Sequence, residues 1–202
     1  MEHIFVQGKN KDLMPLVLLH GTGGDEQSLL ELAEIIAPDA SVLSFRGDVS
    51  EHGANRFFAR YADGSFDLAS LKEKTGGLVT EIKALAEKYD FDAAQVVAVG
   101  YSNGANIAAN AMLTDAASFQ KAILFHAMPS GEAMPDFALD RAAVFVTAGV
   151  NDPLVTAAGS QSLIDALSHR GAAVESLWTQ NGHNLTMVEV EAARDWYVAQ
   201  HD

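Results

Sequence analysis

A serine set between glycines, an aspartate followed by proline and a histidine in a glycine-bearing turn are the residues of this chain whose types and order suit acyl chemistry. The serine is Ser102, within the run VVAVGYSNGANIAANAM at residues 96 to 112. Gly100, Tyr101, Ser102, Asn103 and Gly104 fit the pattern GxSxG, where a strand turns into a helix so sharply that the serine's neighbours must lack side chains. Val96, Val97, Ala98 and Val99 predict a strand buried on both faces, and the alanine-rich stretch from Asn103 to Met112 predicts the helix. Such a turn exposes the hydroxyl and aims helix N-terminal N–H groups at it, where developing negative charge is stabilised. The plainer alternative is a glycine-bracketed turn whose serine caps the helix. The strand before it and the helix after it favour the nucleophile.

A serine hydroxyl attacks poorly unless a neutral imidazole removes its proton, and the imidazole needs a carboxylate to fix its tautomer and stabilise its cation. Asp152 lies in GVNDP just past an apolar run, with Pro153 expected at a helix start, and His183 lies in QNGH just past another. Alone, the first reads as a turn-capping aspartate and the second as a surface histidine. Together they give the order Ser, Asp, His, with each residue beyond a strand's carboxyl end. His126 precedes Asp152 and has the wrong order, His169 falls on an expected helix, His3 and His201 lie near the termini, and His20 belongs to a glycine-rich loop. That loop, His20 to Asp25, lacks the lysine and hydroxyl of a phosphate-binding loop and fails GxGxxG. It suits an oxyanion hole, in which the N–H of Asn103 and that of Thr22 or Gly23 bind the tetrahedral intermediate.

These residues need strands to carry them. Expected strands are His3–Gly8, Pro15–Leu19, Ala40–Phe45, Ala122–Phe125, Ala142–Ala148 and Ala173–Trp178 around the central one. Expected helices are Glu26–Ala37, Asp67–Tyr89 with a break near Gly76 and Gly77, Val155–Arg170 and Thr186–Gln200. Strands alternating with helices imply an α/β fold, a mostly parallel sheet of about seven strands with helices on both faces and ligands beyond the strands' carboxyl ends. A long polar loop, Arg46 to Phe66, and the Met128 to Pro135 part of a connection running from Ala127 to Leu139 are free to wall the site. Arg56, Phe57, Phe58 and Met128 are the pocket candidates, with Met134 beside them. Phe57 and Phe58 can equally pin the loop to the core, and Arg46, Arg56 and Arg60 are expected to pair internally with acidic residues.

The 202 residues suit one domain spanning 1–202. With 27 acidic against 13 basic residues, the net charge of -14 disfavours nucleic acid and anionic membranes. The absence of cysteine removes disulfides, thiolate nucleophiles and thiolate metal sites. The opening MEHIFVQGKNKD lacks a signal-peptide core and no run reaches the roughly 18 apolar residues of a membrane span, so a cytoplasmic location is expected.

The chain resembles the cap-less α/β-hydrolases of the phospholipase/carboxylesterase family, especially a bacterial branch of small carboxylesterase-like hydrolases linked to quinone and hydroquinone stress. The resemblance rests on LHGTGGDE at 19–26, RGDVSEHGANRFFAR at 46–60, GYSNGAN at 100–106, GVNDPLV at 149–155 and GHNLT at 182–186. It implies hydrolysis of small carboxylic esters or thioesters through Ser102, Asp152 and His183, with no metal or organic cofactor and with dimers common. The chain is also similar to dienelactone hydrolases, although those use a cysteine nucleophile.

Overall fold

A computed structural model describes residues 1–131 and 134–201. The strands are β1 (His3–Val6), β2 (Leu16–Leu19), β3 (Val42–Phe45), β4 (Val49–Glu51), β5 (Ala54–Arg56), β6 (Val97–Tyr101), β7 (Lys121–Phe125), β8 (Ala143–Gly149) and β9 (Ala173–Thr179). The α-helices are α1 (Leu30–Ile36), α2 (Leu68–Tyr89), α3 (Asn103–Thr114), α4 (Ala157–His169) and α5 (Met187–Ala199). Seven strands form one sheet in the order β1-β3-β2-β6-β7-β8-β9, with β1 antiparallel to β3 and every other pairing parallel. This is the α/β-hydrolase architecture, and no helical cap interrupts it among the described residues.

Alternation of side chains across the pleat divides the core into two layers. Val17 and Leu19 of β2 face the layer covered by α2, α3 and α4, whereas Leu16 and Leu18 face the layer covered by α1 and α5. All four are fully buried, as a central parallel strand requires. The chain order reverses between β2 and β6, whose register sets Leu19 opposite Gly100. The loop after β2 and the turn after β6 therefore emerge side by side at the switch point, where open α/β sheets bind ligands.

Some local expectations are corrected. Helix α2 runs unbroken through Gly76 and Gly77, because Asp67 caps its start by accepting the Ser70 N–H at 3.0 Å and Leu71, Leu78, Ile82 and Leu85 bury one face. Helix α1 starts at Leu30 rather than near Glu26, and Pro153 lies in a turn upstream of the α4 cap Thr156, not at the helix start. The segment 46–66 is largely ordered backbone. Glu51 pairs with Ala54 across His52 and Gly53, both with positive φ (51° and 84°), a two-residue hairpin of the primed type. Phe57 and Phe58 then enter the core at 1% and 0% exposure. No helix among the described residues is long and apolar enough to cross a membrane.

Candidate active site

Ser102 sits between β6 and α3 with φ 50° and ψ −111°, a conformation an L-residue holds only when its surroundings dictate it. Its N–H donates to Phe125 O and its carbonyl accepts the Asn106 N–H, both at 2.9 Å. The flanking glycines explain the sequence pattern. A Cβ at Gly100 would stand 2.6 Å from the N and Cα of Ala105, and one at Gly104 would run into the carbonyl of Leu19. Helix and strand touch backbone to backbone here.

His183 reaches Ser102 from the loop after β9. Its Nε2 lies 2.9 Å from Ser102 Oγ and its Nδ1 lies 2.7 Å from Asp152 Oδ2. Asp152, in the loop after β8, is 8% exposed, and its Oδ1 accepts the N–H groups of Leu154 at 2.8 Å and Val155 at 3.0 Å. Burial pushes the Asp152 carboxyl upward, but hydrogen bonds from Val155, His183 and Leu154 outweigh it and hold the group below the ordinary aspartate value. An ionised Asp152 fixes the proton on Nδ1 of His183, which leaves Nε2 free to accept from the serine hydroxyl. The two loops are locked together: Asn151 Oδ1 accepts the Gly182 N–H at 3.0 Å, and Tyr101 Oη donates to His183 O at 2.7 Å.

Beside Ser102, the N–H groups of Thr22 and Asn103 have no protein acceptor among the described residues. Asn103 is the first residue of α3, where helical N–H groups lack intrahelical partners. The Gly23 N–H, the other candidate, donates to Asn55 O at 2.8 Å, so of the two loop donors Thr22 is the available one. The loop is pinned from below. His20 contacts Gly21 O through Nδ1 at 2.6 Å and accepts the Gly47 N–H through Nε2 at 2.9 Å, which requires a neutral ring, and burial lowers its pKa accordingly. Arg56 Nη1 donates to Thr22 Oγ1 at 2.7 Å.

A cavity of about 660 Å³ opens over Ser102, lined by Thr22, Arg56, Arg60, Phe66, Met128 and Leu154 among others. Two pocket candidates, Arg56 and Met128, stand on its wall. Phe57 and Phe58 do not: their aromatic surface is spent anchoring the hairpin, and Phe66 supplies the ring that faces the cavity. Met134 lines a separate hollow of about 460 Å³ between α2 and α3. The arginines pair internally, Arg46 with Glu26 through two hydrogen bonds, and Arg60 and more distantly Arg56 with Glu51.

Two further polar residues back the site and were not singled out from the sequence. His126 and Glu189 are both fully buried, with His126 Nδ1 3.4 Å from Asp152 Oδ2 and His126 Nε2 2.8 Å from Glu189 Oε1. Chain order set His126 aside, and Glu189 has the look of the capping-box residue that it also is. His126, Asp152 and His183 offer donor atoms within 4.8 Å of one another, a spacing that would suit a metal ion. Both Nδ1 atoms already converge on Asp152 Oδ2, so a cation there would displace the contact that orients His183.

Sheet order, elbow and the three-residue chain of contacts define a small cap-less α/β-hydrolase of the carboxylesterase-like kind. The model of the Dienelactone hydrolase family matches residues 58–199. The chain belongs to that family. It is 43% identical over 199 residues to MhqD of Bacillus subtilis (strain 168), covering 98% of both chains. Among solved structures it is similar to the Bacillus cereus carboxylesterase, at 44% identity and TM-score 0.96, covering 98% of this chain and 94% of that one. It is also similar to YahD, solved with malic acid, at 40% identity and TM-score 0.93, covering 100% and 99%.

Proposed function

We propose that this hydrolase cleaves small carboxylic esters through an acyl-enzyme on Ser102. The observation that supports the reading best is the run of contacts from Ser102 Oγ through His183 to Asp152, at 2.9 and 2.7 Å, beside the two unengaged N–H groups of Thr22 and Asn103. As Ser102 Oγ attacks the ester carbonyl, His183 Nε2 takes its proton and Asp152 stabilises the resulting imidazolium. The carbonyl oxygen becomes an oxyanion held by the N–H groups of Thr22 and Asn103. His183 then passes the proton to the departing alkoxide, which leaves as the alcohol. In the second half, water attacks the acyl-enzyme, His183 takes the water's proton and returns it to Ser102, and the acid is released. No step calls on a metal or organic cofactor.

The substrate reading is a small-molecule ester, with neither nucleic acid nor membrane as partner, in the cytoplasm and with a homodimer as the assembly to look for by size-exclusion chromatography. Thioester or lysophospholipid deacylation is the second reading; it calls for a long apolar groove, whereas Arg56 and Arg60 make this wall polar. Fluorophosphonate labelling tests the assignment: the native protein should take up the probe on Ser102, and Ser102→Ala should lose both labelling and turnover, by about 10⁴ or more in kcat. Near-normal turnover by that variant would remove Ser102 from the mechanism.

A further inference from the structure

The wall of the Ser102 cavity carries two guanidinium groups that share a single carboxylate partner. Arg56 and Arg60 line the same space of about 660 Å³ as Ser102, His183 and Thr22. Arg56, the last residue of β5, has a side chain only 4% exposed. Its Nη1 donates to Thr22 Oγ1 at 2.7 Å and its Nε to Phe58 O at 3.3 Å. Both acceptors are neutral, and Nη2 has no acceptor among the described residues.

Glu51 is the acid that serves both arginines. It accepts from Arg60 Nε at 3.0 and 3.2 Å, while its contact with Arg56 Nε is long, at 3.4 Å. The two Nη groups of Arg60 have no acceptor among the described residues either. Asp63, the one acid lining the cavity among those residues, has its Oδ1 taken up by the N–H and hydroxyl of Ser65 at 2.9 and 2.6 Å. Burial acts most strongly against the Arg56 cation and the charge of Arg60 next, with only Glu51 favouring it, so its pKa falls below the ordinary arginine value. A cation withdrawn from water is costly unless it is paired and hydrogen-bonded. Acids outnumber bases by 27 to 13 in this chain, yet beside the nucleophile it leaves guanidinium donors uncommitted. A carboxylate from outside fits that vacancy in charge and in shape, because its two oxygens match the planar guanidinium fork.

We infer that the ester cleaved at Ser102 carries an ionised carboxylate of its own, gripped by Arg56 with Arg60 beside it. This rests on the reading of Ser102 as the nucleophile. Thr22 links the grip to the chemistry, since the residue whose N–H is to bind the oxyanion is hydrogen-bonded through its hydroxyl to the same guanidinium. Anchoring one end of a small substrate on Arg56 therefore fixes where its carbonyl stands over Ser102. Hydrolysis yields a dicarboxylic acid when the charge lies on the acyl side and a hydroxy acid when it lies on the alcohol side.

Pairs of esters equal in size and different in charge test it. Methyl hydrogen glutarate and methyl glutaramate set a carboxylate against a carboxamide on the acyl side; γ-acetoxybutyrate and γ-acetoxybutyramide do so on the alcohol side. Acid release is followed in a pH-stat at neutral pH. In at least one pair the native protein should favour the carboxylate by about tenfold or more in kcat/KM, the worth of a hydrogen bond to a charged group. Equal rates in both pairs would overturn the inference. Arg56→Gln should bring the two rates together, and any harm done through Thr22 cancels because both members of a pair use the same oxyanion donors. Arg60→Gln alters a side chain that is 41% exposed and decides the matter if the Arg56 variant does not fold. It hands Glu51 to Arg56 and should lower the preference about twofold to threefold. Glu51→Gln frees both guanidiniums and should raise the preference by a similar factor, a gain that purely structural arginines would not give. A preference unmoved by Arg60→Gln and Glu51→Gln would refute the grip. Ser102→Ala titrated with the same esters and followed by NMR should bind the carboxylate member more tightly, and equal affinities would refute the site. That titration needs no turnover, so a native protein that hydrolyses none of these esters would fail the hydrolase reading while the titration still decides the carboxylate site.

Discussion

Asp152→Asn offers the sharpest test of the chemistry, because the structure dictates which way the new amide must face. The Oδ1 position accepts two backbone N–H groups, from Leu154 at 2.8 Å and Val155 at 3.0 Å, so the amide oxygen has to occupy it. The NH₂ group then takes the place of Oδ2, 2.7 Å from His183 Nδ1, where it can only donate. His183 is forced to present a lone pair at Nδ1 and to carry its proton on Nε2. That nitrogen, 2.9 Å from Ser102 Oγ, can no longer accept the serine proton, and base catalysis is lost although every heavy atom stays in place. In triads of this kind the wrong tautomer costs about 10⁴ in kcat, or about 5 kcal/mol at 1.36 kcal/mol per decade. Steady-state hydrolysis of p-nitrophenyl acetate, with a thermal melt to confirm folding, reads the effect, and KM should change far less than kcat. More than a tenth of native kcat in a folded Asp152→Asn protein would mean that Asp152 is not the orienting acid.

Gly76→Ala and Gly77→Ala should each stabilise the protein, since a Cβ at either position meets nothing within 4 Å and alanine gains about 1 kcal/mol over glycine inside a helix. At this chain length that is about 2–4 °C in Tm per substitution, and a lower Tm in differential scanning calorimetry would contradict the account of α2. The folded-state pKa values of Asp152 and Glu189 lie below the ordinary 3.8 and 4.5, so their contribution to stability is fully present above those values and is lost as pH falls through the depressed ones. Melts should therefore hold steady from pH 7 to about 5 and fall below about 4, less steeply in Glu189→Gln; a Tm that rises on acidification would refute this. Across p-nitrophenyl esters, kcat/KM should rise by the burial of each added methylene, about 0.8 kcal/mol, only while the uncapped cavity can enclose it, and should fall well before palmitate. A steady rise to long chains would favour the lysophospholipase or thioesterase reading.

The sheet and the three contacting residues were legible in the sequence because both are written in strong local signals. Apolar runs such as Leu16–Leu19 suit only a strand buried on both faces, and GYSNG encodes a backbone collision that glycine alone avoids. What escaped depended on partners distant in the chain. The paired glycines of α2 read as a break, yet the cost of two glycines is small against the burial of Leu71, Leu78, Val79, Ile82 and Leu85 on the same helix. Phe57 and Phe58 suit a pocket or a core equally until the hairpin fixes which way they point. Gly23 and Thr22 were indistinguishable as donors until Asn55, over thirty residues on, claimed one of them. His126 was set aside by chain order, and its place beside Asp152 shows only once β7 and β8 are paired in the sheet.

Helix α3 is the element that joins Ser102 to the segments around it. From Asn103 to Leu113 every residue is buried, and the polar exceptions, Asn103, Asn106 and Asn110, recur at helical spacing along one face. Each holds a different neighbour. Asn103 Oδ1 accepts the Phe57 N–H at 2.7 Å, Asn106 Oδ1 accepts the Met128 N–H at 2.9 Å, and Asn110 Nδ2 donates to Thr75 Oγ1 of α2 at 2.9 Å. An apolar residue at Asn103 or Asn106 would gain burial energy but leave the backbone N–H of Phe57 or of Met128 unpaired, at about 1–3 kcal/mol each. Burial energy has no direction, whereas these hydrogen bonds fix the backbone at Phe57 and at Met128 against the helix that follows Ser102. Ser102, the backbone at Phe57 and the backbone at Met128 are thus tied to one helix, so a shift of α3 would move all three together.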